Sequence, residues 1–125
     1  MQNTFLVMAG GAIGAACRYQ LGRLMTHIMG PGYPWGTLVA NLLGGFAMGL
    51  LVGILARFID GGEQIRLFVA VGILGGFTTF SSFSLEVVLM LQRGQLATGI
   101  GYVTASIVGA VGFMALGLFA VRTIV

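Results

Sequence analysis

The sequence predicts an all-α membrane protein: four transmembrane helices per chain, the third broken at mid-membrane, arranged as an antiparallel dual-topology homodimer. Three observations lead there. Of 125 residues, 58% are hydrophobic and 7% charged, and the mean hydropathy is +1.03. So few charges cannot coat a soluble domain of this size, so lipid is the solvent. Uncharged stretches run from Asn3 to Cys17, Thr26 to Ala56, Leu67 to Leu85 and Gly94 to Val121. Each supplies the roughly 17–25 residues that cross a bilayer, the first by including Arg18. The segments between them are short and polar, leaving a single four-helix transmembrane domain over residues 1–125 and no room for a soluble one.

Helix 1 is expected over about 4–27. Met1-Gln2-Asn3-Thr4 lacks the basic start of a secretory signal, and Arg18 directly follows Gly14-Ala15-Ala16-Cys17, so the segment reads as a retained span. Pro31-Gly32 and Pro34 turn the chain. Helix 2 follows over about 35–57, with Tyr33 and Trp35 where an interfacial aromatic belt would put them and His27 beside them. Asp60-Gly61-Gly62-Glu63 makes the next turn, helix 3 covers about 64–92, and Arg93-Gly94-Gln95 leads into helix 4 over about 96–123.

The chain has 22 glycines, many at four-residue spacing: Gly10 with Gly14, the face Asn41, Gly45, Gly49 and Gly53, and Gly72 with Gly76. Small residues so spaced let helix backbones meet closely in lipid. The arginines balance across the expected topology, with Arg57, Arg66 and Arg122 on one side and Arg18, Arg23 and Arg93 on the other. Without a positive-inside bias a chain can insert both ways, and two opposed copies can pair. The net charge of +3 is scattered, which excludes a nucleic-acid patch. One cysteine, Cys17, permits no internal disulfide and reads as a packing residue. No Cys/His metal spacing, lysine-bearing phosphate loop or facing carboxylate pair suggests an enzyme.

Chemistry concentrates in helix 3. Gly75-Gly76-Phe77-Thr78-Thr79-Phe80-Ser81-Ser82-Phe83-Ser84 follows two glycines with five hydroxyl residues in seven positions, poor helix material. A break there predicts an ion site, because unwound backbone at membrane depth must be satisfied by protein, water or ions. Phe80 and Phe83 share a face, and their positive ring edges can meet a small anion. Thr37 and Asn41 form a polar pair four residues apart, and the Asn amide offers two donors. Arg18 lies deep in helix 1, where a fixed guanidinium raises the local anion concentration. Glu86 is the single acid inside a span, placed to accept hydrogen bonds from neighbouring hydroxyls or amides.

Pro34-Trp35-Gly36-Thr37, Asn41-Leu42-Leu43-Gly44 and the Gly75–Glu86 segment resemble the Fluc (CrcB) fluoride channels, to which helix 1 adds Gly11, Gly14 and Arg18. The likeness covers essentially the whole chain. It implies passive export of cytoplasmic fluoride through two pores at the interface of an antiparallel homodimer, in the inner (plasma) membrane of a prokaryote. By the same resemblance Asn41 lines the pore, and Phe80 and Phe83 box the ion path. Ser81, Ser82 and Thr37 support the path, and Arg18 stands in the vestibule. The backbone carbonyls of Gly75 and Thr78 from both copies hold a central structural Na⁺. On helix 4, Ala110 and Met114 stand where some relatives carry hydroxyls, leaving Tyr102 and Ser106 for its polar track. The rival reading is a small multidrug-resistance-type transporter, which needs an acid in helix 1 where this chain has Arg18; a third is a non-transporting subunit of a larger complex.

Overall fold

The structure, a computed structural model, describes residues 1–57 and 62–124; Asp60 and Gly61 of the expected second turn lie outside them. The described residues form helices and turns, without strands. α1 covers Gln2–Met29 and α2 Trp35–Leu55. The third stretch has four parts: α3 (Gly62–Ile65), a π-helical segment (Arg66–Leu74), α4 (Gly75–Phe77) and α5 (Ser81–Gln92). α6 covers Leu96–Ile124.

Three stretches are long and apolar enough to cross a membrane: Trp35–Leu55, Gly62–Gln92 and Leu96–Ile124. At 1.5 Å per residue even α2 reaches about 30 Å, the thickness of a hydrocarbon core. Large apolar side chains face outward, among them Phe5, Met8, Val108, Val111 and Phe119, as a multi-pass membrane protein requires. α1 is not one of the three; its 28 residues include Arg18 and Arg23.

The helix ends follow from local chemistry. Gly30 ends α1 at φ 85°, a left-handed conformation that costs glycine nothing. Pro34, at φ −79° and ψ 62°, sits in a tight turn closed by the Trp35 amide on the Tyr33 carbonyl at 2.8 Å. Gly94 (φ 77°) ends α5, and the Gln95 amide reaches back to the Met90 carbonyl at 2.9 Å, the bond of a Schellman stop.

Glycine decides which helices touch. α1 packs on the π-helical segment and α4: a β-carbon on Gly10 would lie 2.9 Å from the Gly72 Cα, and one on Gly14 2.8 Å from the Phe77 amide nitrogen. α2 packs on α6: β-carbons on Gly45, Gly49 and Gly53 would press on Ala110, Met114 and Val121. Such close approach maximises dispersion contact where lipid removes the hydrophobic drive between helices. A separate apolar cluster joins Leu38, Phe83, Met90 and Tyr102.

Candidate functional site

Helical backbone stops at Thr78, whose φ −82° and ψ 157° are extended, and resumes at Ser81. The loss of helical hydrogen bonds at the gap is made good residue by residue. The Thr79 amide donates to Asn41 Oδ1 at 2.9 Å, and Asn41 Nδ2 donates back to the Thr79 carbonyl at 3.1 Å. One side chain of α2 thus replaces both halves of a backbone pair. Thr79 Oγ1 accepts the Ser82 amide at 3.2 Å, satisfying one of the free donors in the first turn of α5. Arg18 Nε donates to the Gly76 carbonyl at 3.3 Å. Thr78 Oγ1 bonds back to the Leu74 carbonyl at 2.9 Å.

This arrangement frees two carbonyls. In an unbroken helix Gly75 would receive the Thr79 amide and Thr78 the Ser82 amide, but those amides are held by Asn41 and by Thr79 Oγ1. Gly75 and Thr78 both line the cleft described next. Two neutral oxygens suit a hard monovalent cation, and one chain supplies too few to enclose it. The donor set is compatible with a monovalent cation such as Na⁺, with further oxygens needed to complete its shell.

A cleft of about 750 Å³ opens beside the gap between α2 and α6. It brings together Asn41, Gly75, Thr78, Phe80, Phe83 and Ser106 of the residues marked from sequence, with Ala110 and Met114 on its wall. Phe83 is buried, at 8% exposure, whereas Phe80 is 77% exposed; their ring centres lie 5.7 Å apart. Ser106 is 6% exposed, and its Oγ is the buried side-chain polar atom without a hydrogen-bond partner among the described residues. A buried hydroxyl left unpaired costs about 1–3 kcal/mol, so its place in the cleft marks a position for a ligand or water.

Five marked residues, Thr37, Tyr102, Ser81, Ser82 and Arg18, do not line that cleft. Thr37 and Tyr102 instead meet on Glu86, donating to its two oxygens at 3.0 and 2.8 Å. Three elements, α2, α5 and α6, are thereby tied through one carboxylate. The sequence implies hydroxyl or amide donors for Glu86 without naming them; the structure supplies the hydroxyls of Thr37 and Tyr102. Ser81 is exposed, its Oγ 3.4 Å from Thr79 Oγ1, and Ser82 contributes through its amide. Tyr102 also packs on Phe83, the rings tilted by 46° with centres 5.2 Å apart, and meets Tyr33 edge-on at 5.5 Å. Burial pushes the Tyr33 phenol above its ordinary value. Arg18 lines a second pocket, of about 660 Å³, with Thr37 at its edge.

Comparison with known proteins gives a consistent result. Residues 5–118 match the family model described as CrcB-like protein, Camphor Resistance (CrcB). A protein of Sphingopyxis alaskensis named fluoride-specific ion channel FluC is 52% identical over 122 residues, covering 98% of this chain and 97% of its own. Proteins of the same name from Mesorhizobium japonicum and Phenylobacterium zucineum are 47% and 48% identical. They cover 99% of this chain, and 99% and 98% of their own lengths. With residues 5–118 of its 125 matched by the family model, the chain belongs to the CrcB family.

Proposed function

We propose that this protein is a fluoride-specific ion channel that exports cytoplasmic fluoride passively, and not an enzyme. The observation that carries the reading is the cleft at the helical gap, where the unpaired hydroxyl of Ser106 lies with Asn41 and Phe83. The name of the relatives supports the ion, since they match over nearly every residue.

The working unit is an antiparallel homodimer with two pores, each chain spanning the inner membrane four times, α1 included. Gly75 and Thr78 open beside the gap at mid-membrane depth, and their carbonyls with those of a second copy would hold a structural Na⁺. That ion would fix the two gaps together and supply positive charge near the path. Arg18 draws fluoride into the vestibule. Inside, fluoride exchanges water for the free amide proton of Asn41, the hydroxyl of Ser106 and the ring edges of Phe80 and Phe83. Thr37, Tyr102 and Glu86 hold the wall beside the path, and Ser81 and Ser82 its outer edge. A narrow path with fixed donors replaces the hydration of a small halide better than that of a larger one.

Passive flow suffices for export. Hydrogen fluoride crosses lipid as a neutral acid and ionises in a more alkaline cytoplasm. An inside-negative potential then drives the anion outward by about 2.3 kcal/mol per 100 mV. Planar-bilayer recording tests this mechanism: the reversal potential should follow the fluoride gradient and ignore an imposed proton gradient. A reversal potential that moves with pH would instead indicate proton coupling. Cysteine cross-linking between equivalent positions of opposed copies tests the dimer, and exclusively parallel links would contradict it.

A further inference from the structure

The pocket of about 660 Å³ at the end of α1 is lined by Arg18, Tyr19, Gly22, Arg23, Thr26 and His27, with Gly36 and Thr37 of α2 closing it. The α1 residues recur at three- and four-residue spacing and so share one face. The floor is a glycine crossing: a β-carbon on Gly36 would lie 2.8 Å from the Gly22 Cα. With no side chains there, the two backbones meet and the longer residues on either side stand up as walls.

Its size and chemistry exceed what fluoride needs. Small-molecule sites typically enclose about 300–1,000 Å³, and fluoride is smaller than a water molecule. Among the described residues no acid lines the pocket, and the single ion pair is Arg66 with Glu63, so neither guanidinium here has a carboxylate partner among them. Arg18 is anchored through Nε to the Gly76 carbonyl, which leaves its terminal nitrogens for a ligand. Arg23 enters one turn further on, with the hydroxyls of Thr26 and Tyr19 and the imidazole of His27 beside it. Guanidinium forks match phosphate oxygens pairwise, and a tetrahedral oxyanion presents oxygens to several of these donors at once.

We infer that this pocket binds a phosphate-type oxyanion, and that its occupancy slows fluoride entering from this end. The flux consequence rests on the channel reading above; the binding site does not. Two sources share the chemistry. Free inorganic phosphate reaches the pocket from water. The headgroup of an anionic phospholipid reaches it from the side, because Tyr33 and Trp35 pack together at this end, as aromatics at the lipid–water boundary do.

Trp35 is the chain's single tryptophan and precedes Gly36 of the pocket, so its fluorescence reports occupancy without any transport. Phosphate titrated into the detergent-purified protein, with ionic strength held constant by chloride, should give a saturable change. Arg23→Ala should raise the half-saturating concentration tenfold or more, the loss of one charge-assisted contact, and Arg23→Lys by less. In phosphatidylcholine liposomes phosphate should slow fluoride efflux with the same midpoint, each variant being compared with its own phosphate-free rate. Phosphatidylglycerol liposomes distinguish the sources: if the headgroup already fills the site, efflux starts slow and added phosphate changes nothing. The inference is overturned if neither phosphate nor phosphatidylglycerol alters Trp35 fluorescence. It is equally overturned if saturation is untouched by Arg23→Ala. Either failure leaves fluoride conduction itself unaffected.

Discussion

Asn41 and Thr79 exchange two hydrogen bonds, amide to side-chain carbonyl at 2.9 Å and side-chain amide to backbone carbonyl at 3.1 Å, across 38 positions of sequence. This pair joins α2 to the point where the third stretch leaves the helix. Asn41 thus holds the gap and also lines the cleft, where the proposed function gives its remaining amide proton to fluoride.

Asn41→Asp should therefore lose both. The carboxylate cannot donate to the Thr79 carbonyl and would place a negative charge in the proposed anion path. Fluoride efflux from liposomes should vanish, and thermal unfolding in detergent should show a loss of about 1–2 kcal/mol. Normal efflux would remove Asn41 from the path.

Tyr102→Phe should destabilise the fold by about 1–3 kcal/mol, because the phenol is buried and donates to the Glu86 carboxylate. Thr37→Val removes the other donor to the same group. Denaturation of the two single variants and the double variant should give a clearly non-additive cycle. Additive effects would mean that the two hydroxyls do not act through Glu86.

Gly14→Ala and Gly11→Ala form a matched pair on α1. A methyl at position 14 runs into the backbone of Ile73 and Phe77, while one at position 11 meets nothing within 4 Å. Overpacking costs about 1–3 kcal/mol, so Gly14→Ala should lower the melting temperature and Gly11→Ala should not. Equal melting temperatures would contradict the tight packing of α1 on the π-helical segment.

Ser106→Ala separates packing from function. Removing an unpaired buried hydroxyl should leave stability unchanged or slightly improved, yet fluoride efflux should fall. Destabilisation with normal efflux would mark Ser106 as structural.

Much of this was legible because it depends on local composition. The hydroxyl-rich run after Gly75-Gly76 identified the segment where helical backbone lapses, and four-residue glycine spacing identified the faces that pack. The sequence could not say which faces meet: Gly10 and Gly14 turned out to oppose Gly72 and the Ile73–Phe77 backbone, while Gly45, Gly49 and Gly53 oppose α6. The π-helical conformation of Arg66–Leu74 was not signalled by the hydrophobic pattern. Thr37 and Tyr102 were assigned to the ion path by the family resemblance. Their real partner, Glu86, lies 49 and 16 residues away, a separation that spacing rules do not reach. Asn41 was read as a pair with Thr37, four residues along the same helix, but its bonds go to Thr79.

The most direct test of the account is ion efflux from liposomes holding the purified protein, followed with fluoride and chloride electrodes. Fluoride should leave rapidly once a potassium ionophore relieves the charge, while chloride stays behind. Fluoride retention equal to that of protein-free liposomes, or chloride leaving as fast as fluoride, would contradict it.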